Sequence, residues 1–195
     1  MNSLERRIIE VLAPFSLELR CVETHDHGFD FHVIEAGTRV DLDALQTIVS
    51  FMPREIWRDT NNPVVQIALP HIFLSDETLH LSQVPAWASA DSVKLPGMLI
   101  SGRFPAHLWP RPLNLAFEWT DKSQSFKMKR GQPICYLMME LESPERTVEL
   151  IEGRMTENLR SYLSKISDVV KFTSQSFDLF DRAKEIRPKK LLEAM

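Results

Sequence analysis

Between residues 64 and 141 the chain is cut into short runs in which apolar and polar residues alternate, with prolines and polar clusters between them. In "LNLAFEW", Leu113, Leu115, Phe117 and Trp119 face one way, and Asn114, Ala116 and Glu118 the other. A period of two suits a strand with one buried face and no other regular structure. "VVQIAL", "HIFL", "TLHLSQV", "GMLISG" and "SFKMK" read similarly, punctuated by Pro70, "SDE" and Pro85. "PICYLMMEL" is apolar on both faces and predicts a central strand, and "RTVELIE" predicts one more. Upstream, "FSLELRCVE" and "FDFHVIEAG" flank the polar turn "THDHG" and predict a hairpin. About eight to ten short strands with Pro-rich turns predict a mostly β fold, a β-sandwich or jelly-roll-like core.

Helical spacing enters at three places. "NSLERRIIEVL" predicts a short helix through Leu4, Ile8, Val11 and Leu12. "DLDALQTIVSFM" predicts another near 43–52, with Asp43 as N-cap and Pro53 as its stop. After Gly153 the apolar residues Met155, Leu159, Tyr162, Leu163, Ile166, Val169, Val170, Phe177 and Phe180 keep helical spacing. They predict one long C-terminal amphipathic helix of about seven turns over 155–180, with "FTSQS" as the place where a break would fall. The expected organisation is a β-rich core domain, 1–152, and a C-terminal helical appendage, 153–195. The helix stripe has two uses open to it: packing on the chain's own sheet, or self-association and contact with a protein partner.

Composition narrows the function classes. Lys and Arg total 23 against 27 Asp and Glu, a net charge of −4, so general nucleic-acid binding is not expected. No apolar run is long enough to span a membrane, and the N-terminus has no signal-type apolar region. Cys21 and Cys135 both sit in strand-like runs, which predicts buried thiols and a cytoplasmic location. The 6 glycines and 12 prolines argue against phosphate-cradling loops. "GMLISGRF" has the glycine spacing of a P-loop, but Arg103 and Phe104 stand where Lys and Ser or Thr belong. Its interior reads as a buried strand.

Nothing assigns a catalytic residue, a metal ligand or a cofactor. No G-x-S-x-G occurs, and Cys135 lies in the most apolar strand. Of six histidines, His25 and His27 in "HDH" are the close pair. They read either as part of a polar turn or as the start of a cupin-like metal site completed by His71, His80 or His107. The segment richest in chemistry is "GRFPAHLWPRPLN", where Arg103, His107, Trp109 and Arg111 stand among three prolines. Guanidiniums fork onto anions and stack on aromatic rings, and proline lowers the entropy lost on binding. The four residues therefore form the expected binding site, for an anionic ligand or an acidic partner. The competing reading is that Trp109 and the prolines fill one end of the core while the arginines pair with Glu118 or Asp91.

"ALPHIFLSDE", "GRF…LWPRPLNLAFEW" and "KRGQPICYLM" together resemble an uncharacterised family of β-rich proteins of phages and bacteria, over residues of about 64–141. The resemblance implies a mostly β fold and no known activity. The turn and strand from Gly131 through Ile134 to Leu137 are also similar to the last strand of the dUTPase-like fold. The nucleotide-binding motifs of dUTPases, a P-R-S-S-G box and a D-x-G-Y-x-G hairpin, are missing, so no catalytic residue is carried over. The expected function is that of a non-catalytic interaction or accessory protein; the alternative is a cupin-like metal-dependent enzyme acting on a small molecule.

Overall fold

The computed structural model describes residues 7–26, 28–143, 145–172 and 176–194, with the side chains of residues 42 and 167–179 outside the description. In chain order it holds β1 (Ile8–Leu12), β2 (Leu17–Glu23), β3 (Phe29–Val33), α1 (Leu42–Ile48), β4 (Val49–Phe51), β5 (Val64–Ile72), β6 (Leu79–Val84), β7 (Gly97–Leu99), β8 (Gly102–Pro105), β9 (Pro112–Trp119), β10 (Phe126–Met128), β11 (Pro133–Leu141), α2 (Glu157–Phe172) and α3 (Ser176–Ile186). The fold is mostly β. The strands form three antiparallel sheets, ordered β1-β11-β6-β8, β10-β2-β3 and β4-β5-β9-β7. Among the described residues no helix is long and apolar enough to cross a membrane.

The alternating runs become strands because each can bury one row of side chains. Leu113, Leu115, Phe117 and Trp119 of β9 are buried, as are Leu17 and Leu19 of β2 and Leu79 and Leu81 of β6. β11 lies between β1 and β6, the central place its apolar faces require. All three sheets feed one core, and the stacked rings of Phe117 and Phe126, 5.3 Å apart, join β9 to β10. Each fully buried Leu or Phe stabilises by roughly 1.5–3 kcal/mol.

Several local expectations are overturned by pairing. Residues 8–12 form an edge strand on β11 in place of a helix, because β-branched Ile8, Ile9 and Val11 suit that open edge. α1 ends at Ile48, and the rest of its apolar run, Val49–Phe51, pairs with β5. Its N-cap is Asp41, whose side chain accepts from the Asp43 amide at 3.0 Å, and Asp43 sits in the first turn. Pro70 does not divide β5. It sits where the register against β9 shifts between Ala68 and Ile72, a place that does not need its missing N–H. Arg103 belongs to a strand, since β8 pairs with β6. Only Leu99 of "GMLISG" is buried, and Met98 and Ile100 reach solvent. Glu118, expected on a polar face, is buried and paired to Arg58. "RTVELIE" forms no strand, leaving Leu150 and Ile151 exposed.

The long C-terminal helix is corrected most clearly. α2 and α3 are separate helices, and the Tyr162 hydroxyl lies 3.0 Å from the Ala183 carbonyl. One straight helix would separate those residues by about 30 Å. The helices therefore fold back on each other. Thr156 precedes α2 and caps it, its hydroxyl accepting from the Leu159 amide at 3.1 Å. Leu159, Tyr162 and Ile166 form a second apolar cluster with Ala183, Leu191 and Trp109. Met155 is exposed, and the side chains of Val169, Val170 and Phe177 lie outside the described residues.

Candidate functional site

The segment from β8 to β9 is shaped by its prolines. The amides of Leu108 and Trp109 both donate to the Pro105 carbonyl, at 3.0 and 2.7 Å, closing a tight turn. Pro110 and Pro112 follow Trp109 and Arg111 and disfavour helical backbone at both. Trp109 is turned inward and meets Phe180 edge to face at 5.9 Å. The indole thus seats the C-terminal helices, and Arg111, two residues on, lines a groove with α2.

The four expected residues do not act as one set. Trp109 and Arg111 line a groove of about 450 Å³ between residues 109–112, Ile72 at the end of β5, and Arg160, Leu163, Ser164 and Ile166 of α2. Arg103 and His107 do not line it. The Arg111 guanidinium sits 5.9 Å from the Phe104 ring centroid, and partial desolvation lowers its pKa although the residue reaches solvent. Arg160 faces the same groove, and neither arginine has a carboxylate partner among the described residues. The groove thus pairs an apolar floor with two guanidiniums at its rim.

Arg103 and His107 join a different constellation, around the first sheet. Arg103 Nε donates to Glu140 Oε2 at 2.7 Å, and Ser82 donates to the other carboxylate oxygen. These two bonds, from Ser82 and then Arg103, hold Glu140 below the usual carboxylate range. His80 meets His107 edge to face at 5.4 Å. Partial burial lowers the His80 pKa, with the charges of Arg103 and His107 adding and Glu140 opposing. His107 Nδ1 lies 3.0 Å from the Leu79 carbonyl, and its own carbonyl accepts from Arg187 Nε at 2.6 Å. Arg187 also donates to the carbonyls of Ser75 and Asp76, which ties the chain after α3 to the β core.

Neither Asp91 nor Glu118 is the arginines' partner: Glu140 takes Arg103, and Arg58 takes Glu118. Sequence reasoning missed Arg160, Glu140 and Arg187. Arg160 had a faint signal, since it adjoins Leu159 and precedes Leu163 by one turn, at the edge of the stripe. Glu140 and Arg187 had none, because their partners lie on distant segments.

Among the described residues no other histidine is brought to His25 to form a metal site. His25 is exposed after β2, and His27 lies outside the described residues. His71 Nδ1 is buried without a hydrogen-bond partner, and among the described residues no three His, Cys, Asp or Glu side chains are placed to share a metal ion. A further groove of about 530 Å³ lies between β3 and β4, lined by Phe29, Phe31, Leu45 and Phe51 with Asp30, Gln46 and Ser50. No Lys or Arg is among the residues that line it. Comparison of the chain with protein-family models, curated proteins and solved structures gave no match.

Proposed function

We propose that this is a non-catalytic interaction protein that takes an anionic group of a ligand or partner in the groove between residues 109–112 and α2. The observation that carries the reading is the pair Arg111 and Arg160, both without carboxylate partners among the described residues, on the rim of one apolar groove. A guanidinium beside a low-dielectric floor binds a carboxylate or sulfonate more strongly than one in open water. The two separate apolar clusters support a β-rich core, 1–152, of sandwich or jelly-roll type, carrying an appendage, 153–195. Self-association through the helices would use faces other than Leu159, Tyr162 and Ile166. A phage or bacterial origin and a cytoplasmic location belong to the same proposal; the first rests on the resemblance over residues 64–141 and the second on two buried free thiols.

The test uses anilinonaphthalene sulfonate, an apolar ring system carrying one sulfonate. The parent should bind it with quenching of tryptophan emission. Arg111→Ala with Arg160→Ala should weaken binding about tenfold. Both residues are exposed, so the melting temperature should scarcely move. Unchanged probe affinity in a folded double variant would remove the groove from consideration.

A further inference from the structure

We propose that this groove is one end of a longer seam along α2, and that the seam docks an acidic linear segment of another protein with aliphatic anchors. The inference rests on the groove reading above. A smaller hollow of about 130 Å³ lies on the other side of Ile72, which lines both spaces. Leu159 lines the hollow and Leu163 the groove, one helical turn apart on α2, so the two spaces share a wall.

The hollow is rimmed by apolar side chains left in water. Leu150 is 62% exposed, Met155 43% and Ile151 41%. Single exposed aliphatics are ordinary on a protein surface, but three beside one hollow mark a contact site. Their backbone is held. Gly153 bridges to Ala194, and the Arg154 amide donates to the Glu193 carbonyl at 2.7 Å. The segment that fails to form the expected strand is thus anchored where it meets the hollow.

Charge selects the occupant. Arg154 lines the hollow, Arg111 and Arg160 line the groove, and all three are exposed without carboxylate partners among the described residues. Glu149, Glu152 and Glu157 lie in the same stretch of chain but line neither space. In a chain of net charge −4, three arginines along an apolar seam call for acidic residues interspersed with aliphatic ones. A small anion would leave the aliphatic end uncovered. A single-stranded nucleic acid needs stacking platforms, and the seam's tryptophan, Trp109, is 6% exposed.

The test measures anisotropy of a dye-labelled synthetic peptide of alternating glutamate and leucine, with the full-length chain. Binding should weaken about tenfold or more in Arg111→Ala with Arg160→Ala, and equally in Ile151→Ser with Met155→Ser. Peptides with glutamine for glutamate, or serine for leucine, should bind poorly to the parent. Thermal unfolding of each variant confirms that it is folded. If only the arginine pair matters, the seam is wrong and the groove reading stands. If neither pair matters, both fail. Equal competition by an oligonucleotide would overturn the peptide in favour of nucleic acid. A dimer that sediments in the parent and is lost in Ile151→Ser with Met155→Ser, without peptide binding, would make a second copy the occupant and overturn the proposal.

Discussion

The hydroxyl of Tyr162 lies 2.8 Å from the carbonyl of Leu108, so the middle of α2 is tied to the turn that carries Trp109. The same oxygen is 3.0 Å from the Ala183 carbonyl, and its one proton is shared between two acceptors. Burial pushes the phenol up to about 12, with the Arg187 charge opposing, so the proton is retained throughout the physiological range. One side chain thereby ties α2 both to α3 and to the turn before Trp109.

Tyr162→Phe keeps the ring and removes the hydrogen bond. We predict a loss of about 1 kcal/mol in urea unfolding. Trp109→Ala removes the indole beneath the helices and should cost about 3–5 kcal/mol. Its far-ultraviolet dichroism should lose helix before strand. A single cooperative transition unchanged from the parent would show that the second cluster does not hold the helices.

Stability should fall in two steps as the solution is acidified. The folded-state pKa of His80 is lowered, so its contribution is full above the unfolded value of 6.5 and is lost as pH falls through the folded value. Glu140 is lowered as well, and its contribution is full above 4.5 and is lost below it. His80→Gln should flatten the stability profile below pH 6.5. Glu140→Gln should lie below the parent at neutral pH and converge on it in acid. Denaturant midpoints across pH 3–8 decide the matter, and parallel profiles would refute both assignments.

Cys21 and Cys135 are buried and free, and burial pushes each thiol up to about 11. The thiolate is the reactive form, so both should resist iodoacetamide at pH 8 in the native protein and react promptly in guanidinium. Rapid native labelling at either position, read by mass spectrometry, would mean that its strand opens.

Gly97 begins β7 with its backbone pressed on β9. An added Cβ would lie 1.8 Å from the Glu118 carbonyl oxygen, which is backbone and cannot rotate away. Gly97→Ala should therefore cost about 1–3 kcal/mol and loosen β7. Hydrogen exchange at Leu99, whose strand pairs with β9, is the local readout. Gly102, where a Cβ meets nothing within 4 Å, is the control, and Gly102→Ala should be nearly silent.

Much of the β core was legible because alternation is a local property. Leu113, Leu115, Phe117 and Trp119 declare their shared face within one run, and the central place of "PICYLMMEL" follows from its having no polar face. The misreadings fall where a partner strand chooses between local options. Residues 8–12 and 49–51 carry helical spacing and strand-forming side chains at once, and the open edges of β11 and β5 decide between them. Glu118 reads as a surface residue until Arg58 closes over it.

The site divides along the same line. That Trp109 and Arg111 stand close together on a stiffened backbone is a local matter, because Pro110 and Pro112 restrict it through short-range contacts alone. That Arg103 is engaged by Glu140, and that Arg160 takes its place beside Arg111, follows from long-range packing. That exchange depends on α2 and α3 folding back onto Trp109. The fold-back is stabilised by burying Leu159, Tyr162 and Ile166 against residues far away in the chain, and helical periodicity carries no information about which distant surface will cover it.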